Sequence, residues 1–127
     1  MSALPAETRQ VRVRLEPVGD YEGYTDYCLS IDVCLDAADR PVKTGANMGV
    51  RGGLARNSLN VEPFVFHPDG TIDYGSEWED ERFAEINLLE AGRTLQVREF
   101  YTYSVDGAPQ ETIIYRVVSI TPLPLSR

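Results

Sequence analysis

Histidine occurs once in the chain, cysteine twice, tryptophan once and lysine once against eleven arginines. Each scarcity excludes something. A general base of the histidine type needs a nucleophile and an orienting acid beside it. The lone His67 is followed by Pro68 and Asp69, at what reads as a turn tip, so a solvated side chain is the plain reading. The two thiols, Cys28 and Cys34, lie in the stretch YCLSIDVCL. That stretch reads as one strand, and six residues of strand span ~20 Å at ~3.3 Å each. A disulfide needs Cα atoms within ~7 Å, so these cysteines do not bridge each other. Nor does their spacing, with one distant histidine, suit zinc. Free thiols fit a reducing compartment, so a cytoplasmic setting is expected. No apolar run approaches the ~18 residues of a membrane helix, and MSALPAETRQVRVRL lacks the plan of a secretory leader. The preference for arginine over lysine is read as genomic base composition.

Bases are also outnumbered: 20 acids face 12 bases, a net charge of −8. A phosphate-binding surface normally shows as a basic domain, so neither nucleic acid nor membrane is an expected partner. What is present is ordinary for a globular chain, with 43% apolar and 25% charged residues in 127. One domain over residues 1–127 is expected, large enough for a real core without metal or disulfides.

Alternation dominates the pattern. Val11, Val13 and Leu15 alternate with Arg12 and Arg14, and Tyr27 to Asp36 alternates again, with Leu29, Ile31, Val33 and Leu35 on one face. Both have the two-residue period of half-buried strands. Leu59 to Phe66 precedes His67-Pro68-Asp69-Gly70, whose proline and glycine positions specify a hairpin tip. Leu95 to Val105 and Thr112 to Ile120 read as a second hairpin. The latter puts Ile114, Val118 and Ile120 on one face, interrupted by Arg116. Glu99 interrupts the facing strand, so an ion pair between Glu99 and Arg116 is expected.

Ser76 to Arg93 supports two readings. Ser76 with Glu79 makes a capping box, the acids that follow suit the positive end of a helix dipole, and Gly92 suits a stop. Against this, Phe83 to Leu89 alternates as a strand would, with Ala84, Ile86 and Leu88 inward. The end signals favour the helix. The expected fold class is therefore mainly β, a β-dominated α+β chain. It is a small antiparallel β-barrel or sandwich with one short helix near Ser76–Leu89.

No motif specifies a reaction, and none calls for a cofactor or a metal. DGTIDYGSEWEDE has acids at odd offsets, but Tyr74 and Asp80 stand where a calcium loop needs glycine and glutamate. Residues 37–58 read as a long Gly-rich loop, in which Thr44 to Asn57 holds four glycines without a nucleotide-binding pattern. Its Arg51 and Arg56 are candidates for an anion or partner contact. Between Asp69 and Glu90 lie eight acids and the single base Arg82. Glu77, Glu79, Asp80 and Glu81 are therefore candidates for contacting a basic partner.

The leading expectation is a non-catalytic protein-binding or oligomerising module, for example an inhibitor or immunity-type protein for a basic partner. Self-association through an uncovered strand edge is its second form. The alternative is a ligand-binding barrel or small enzyme whose cavity is lined by Tyr101, Tyr103 and Tyr115, with Arg98 or Arg116 as anion anchor. Tyr21, Tyr24 and Tyr27 form an earlier cluster in turn-like sequence, suited to contacts.

Overall fold

Runs of alternating apolar residues separated by glycine- and acid-rich turns leave the chain one economical solution, an antiparallel meander in which most strands pair with the next. The computed structural model has that form. It describes residues 8–43, 47–52, 61–76, 82–90, 92–105 and 108–123. The strands are β1 (Arg9–Pro17), β2 (Leu29–Leu35), β3 (Pro41–Val42), β4 (Asn47–Arg51), β5 (Glu62–Phe66), β6 (Thr71–Asp73), β7 (Phe83–Ile86), β8 (Phe100–Val105) and β9 (Ala108–Pro122). All belong to one antiparallel sheet in the order β1-β9-β8-β7-β6-β5-β4-β2-β3. β1 also pairs with β2, Leu15 opposite Leu29 and Arg9 opposite Leu35. That pairing closes eight of the strands into a barrel, with β3 a short addition beside β4 on the same edge of β2.

The inward face is apolar and aromatic. Val11, Val13 and Leu15 of β1, Leu29, Ile31, Val33 and Leu35 of β2, Phe64 and Phe66 of β5, and Ile72 of β6 are buried. So are Ala84 and Ile86 of β7, Tyr101 and Tyr103 of β8, and Ile113, Tyr115 and Val117 of β9. An eight-stranded barrel is just wide enough for side chains to fill. Here Tyr101, Tyr103, Tyr115 and Phe66 are the largest fully buried side chains. Gly49 is the inward residue of β4 opposite Phe64. A Cβ there would collide with the Phe64 ring, so the glycine makes room for the aromatic.

The hairpin tip at His67–Gly70 forms as its residues specify. Gly70 N–H donates to the His67 carbonyl at 2.9 Å, Thr71 N–H donates to Asp69 Oδ1 at 2.9 Å, and Gly70 has φ +94°. The cysteines are free and buried. Burial pushes the Cys28 thiol up from its usual range, and the nearby Glu16 adds to the effect.

Several expectations are corrected. Phe83 to Ile86 is a strand between β6 and β8, followed by a single 3-10 turn at Asn87–Leu89, so no helix occupies that part of the Ser76–Leu89 stretch. The capping signals lose to sheet pairing, which buries Ala84, Ile86 and Leu88 as the strand alternative requires. Residues 37–58 are not one loop, because Pro41–Val42 and Asn47–Arg51 are strands within it. β8 begins at Phe100, and Val97 is exposed. On β9 the inward face is Ile113, Tyr115 and Val117, so Arg116 interrupts no buried face.

Candidate functional site

Two places in the fold gather chemistry. The first lies inside the barrel, at the end where β1 runs out at Pro17. Arg51 ends β4 and Glu62 begins β5, and register sets them opposite each other and beside Leu29. The Arg51 guanidinium forms an ion pair with Glu62, both side chains being largely shielded at 19% and 24% exposure. The guanidinium carbon also lies 4.7 Å from the centroid of the Tyr74 ring, a cation–π contact. Tyr74 and Tyr103 share a hydroxyl–hydroxyl hydrogen bond of 2.9 Å. The Tyr103 and Tyr115 rings meet edge to face at 5.6 Å. The Tyr115 hydroxyl donates to the Tyr27 carbonyl at 2.5 Å. That bond ties the inner cluster to the β1–β2 connection, where the Tyr21 and Tyr27 rings lie 4.7 Å apart.

The electrostatics of the cluster follow from its burial. Burial raises Tyr74, Tyr103 and Tyr115 above the usual phenol range, so all stay protonated at neutral pH. For Arg51, burial opposes the charge, but the Tyr74 and Tyr103 oxygens and the Glu62 carboxylate outweigh it and hold the guanidinium above its ordinary value. The cluster therefore consists of neutral phenols and one committed ion pair, which binds β4, β5, β8 and β9 together.

Tyr101 stands apart. It is 1% exposed, Arg93 lies 4.0 Å from its ring centroid, and its hydroxyl has no hydrogen-bond partner among the described residues.

The second place is the outer wall formed by β8, β9 and the segment leading into β8. Val97, Phe100 and Ile114 are exposed there, Phe100 at 51%. Phe100 is the register partner of Arg116, and Thr102 of Ile114. Val97, Arg98, Phe100, Arg116, Val117 and Val118 line an open groove of about 630 Å³.

The structure thus sorts the residues singled out from the sequence. Tyr101, Tyr103 and Tyr115 do face the barrel interior. Arg116 does not join them, since it is on the outer face. Glu99 pairs with Arg93 at 2.9 Å rather than with Arg116. The interior cation is Arg51, a strand residue and not a loop residue. Arg56, Glu77, Glu79, Asp80 and Glu81 lie outside the described residues. Of the remaining acids in the Asp69–Glu90 stretch, Asp73 is held by Arg82 at 2.8 Å and Glu90 lies 3.6 Å from Arg93. Among the described residues no cluster of three or more His, Cys, Asp or Glu could hold a metal, and no helix is long and apolar enough to cross a membrane.

Sequence reasoning missed Glu62, Tyr74 and Phe100. The first left a signal: Glu62 shares the two-residue period of Phe64 and Phe66, a charge in register with an inward face. Comparison with known protein families, with curated proteins and with solved structures finds no match to this chain.

Proposed function

We propose that the chain is a non-catalytic protein-binding module that works through the outside of its barrel. The observation that carries this reading is the division between the two places just described. Large buried side chains of the interior bond to one another, whereas Val97, Phe100 and Ile114 stand exposed on one part of the surface, the β8–β9 wall. An exposed aromatic beside aliphatic and arginine side chains is the composition of a protein contact.

The β8–β9 wall is better supported as the contact than the acidic stretch from Asp69 to Glu90, because Asp73 and Glu90 already have arginine neighbours. An inhibitor or immunity-type role against a basic partner would have to use the other acids of that stretch. Self-pairing through a strand edge has less support, since every strand of the barrel has a neighbour on both sides. The free cysteines fit a reducing, cytoplasmic setting.

The test is cross-linking of the tagged chain in its native cells, followed by mass spectrometry. The Phe100→Asp and Ile114→Asp variants run in parallel, each checked for an unchanged circular dichroism spectrum. A partner cross-linked near Val97–Phe100 and lost in both variants is the expected result. A small molecule co-purifying with the folded chain, unaffected by either variant and with no protein cross-linked at that wall, would favour a ligand-binding barrel instead.

A further inference from the structure

Nearly every described arginine is committed to a carboxylate. Arg9 pairs with Asp39, Arg12 with Asp32 at 2.8 Å, Arg14 with Glu16 at 3.6 Å and Arg40 with Asp36 at 3.3 Å. Arg51 pairs with Glu62, Arg82 with Asp73 at 2.8 Å and Arg93 with Glu99 at 2.9 Å. Only Arg98 and Arg116 have no ion pair among the described residues, although acids outnumber bases 20 to 12 in the chain.

These two are neighbours. Arg98 N–H donates to the Val117 carbonyl at 2.8 Å, and Val117 N–H donates to the Glu99 carbonyl at 2.9 Å. Arg98 is thereby fixed beside β9, next to Arg116, and both line the outer groove with Val97, Phe100 and Val118. The carboxylates closest in register are turned elsewhere. Glu16 is the register partner of Arg116 on β1 but lies against Arg14, and Glu99 lies against Arg93.

We propose that this groove docks an extended acidic peptide segment of a partner protein, with an aliphatic or aromatic residue set between its carboxylates. The inference rests on the outer-wall reading above and gives the chemistry of the partner. Guanidinium groups take carboxylates through paired hydrogen bonds. The exposed Phe100 ring, with Val97 and Val118, supplies the apolar part of the same groove. The net charge of −8 does not oppose such a short ligand. Over a Debye length of ~8 Å at physiological salt, the charges of the groove itself decide. A nucleic acid or an anionic bilayer carries negative charge well beyond the groove and meets the rest of the acidic surface.

Anisotropy of labelled peptides with the full chain tests the proposal. One pool carries Asp and Glu around a central Leu or Phe, a second carries Asn and Gln at the same positions, and a third carries Lys. The acidic pool should bind most tightly and weaken as salt rises. Arg98→Gln with Arg116→Gln should weaken it about tenfold, the loss expected of two exposed charge pairs. Arg40→Gln, an exposed arginine paired elsewhere, should leave it unchanged. The proposal is overturned if the amide pool binds as well as the acidic one, or if the double variant binds like wild type. It is equally overturned if a single-stranded oligonucleotide or a phosphatidylserine vesicle binds at least as tightly. The cross-linking experiment separates the two readings. A partner lost with Phe100→Asp but kept by the double arginine variant leaves the outer-wall reading standing and removes the acidic peptide.

Discussion

Arg51 lies across the face of Tyr74 while its guanidinium is held by Glu62, so one side chain joins the charged and the aromatic halves of the interior cluster. Arg51→Met should remove both contacts and leave the Glu62 carboxylate shielded and unpaired. A loss of about 2–3 kcal/mol is expected, the range for stranding a shielded charged partner. Adding Glu62→Leu should recover part of it, because no lone charge then remains. Urea unfolding of the single and double variants measures the coupling, and strictly additive losses would contradict the pairing.

The buried tyrosines should respond oppositely to loss of their hydroxyls. Tyr103→Phe takes away one hydrogen-bond partner of Tyr74 and should cost about 1 kcal/mol. Tyr101→Phe removes a buried hydroxyl with no described partner, and should be neutral or raise Tm. Differential scanning fluorimetry of both variants is sufficient. A large loss in Tyr101→Phe would show that the hydroxyl is satisfied, for instance by a bound water.

Alkaline pH should open the barrel. Tyr74, Tyr101, Tyr103 and Tyr115 are all raised by burial above the ordinary phenol value of 10.0. Below that value both folded and unfolded chains keep these protons, and stability is insensitive to them. Above it the unfolded chain releases protons that the folded chain retains, so stability falls as pH rises. Each such tyrosine contributes a slope of at most about 1.4 kcal/mol per pH unit, reached where only the unfolded chain has lost its proton. Absorbance at the tyrosinate band should show these four ionising together with the loss of near-ultraviolet dichroism. Smooth ionisation of all seven tyrosines in a folded protein would refute this.

Gly49→Ala should be costly although alanine is the smallest side chain that could be added. Its Cβ would enter the space held by the Phe64 ring and lie 3.0 Å from the Ser30 carbonyl. Overpacking of this kind costs about 1–3 kcal/mol. Phe64→Leu in the same chain should relieve part of the loss, and failure to do so would point to a backbone cause.

How far the sequence announces this fold depends on how unequal the two faces of each strand are. β1 and β2 were legible because arginine, serine and aspartate alternate with aliphatic residues. The His67–Gly70 tip was legible from turn chemistry alone. β9 was misread because both its faces carry large apolar residues, Ile113, Tyr115 and Val117 against Ile114 and Val118. A one-residue change of register exchanges the faces of a strand. The β8–β9 pairing sets Arg116 opposite Phe100, not Glu99, and shifts register between Ser104 and Val105. In Ser76–Leu89, local helix signals compete with strand neighbours that only the closed barrel supplies. The place of Arg51 on a strand was hidden by the neighbouring glycines, one of which, Gly49, makes room for Phe64.

The seam of the barrel joins the two ends of the described chain. Val11 is paired with Pro122, and Leu123 N–H donates to the Gln10 carbonyl at 3.0 Å. Every other junction of the barrel joins strands close in sequence, with only the short β3 lying between β2 and β4, so synthesis can build the wall strand by strand while this last one waits. A nascent chain that lacks β9 offers two open edges, those of β1 and β8, and unpaired edges are templates for joining a second chain. β9 thus closes both edges at once when it leaves the ribosome, and the barrel is most prone to aggregate in the interval before it arrives.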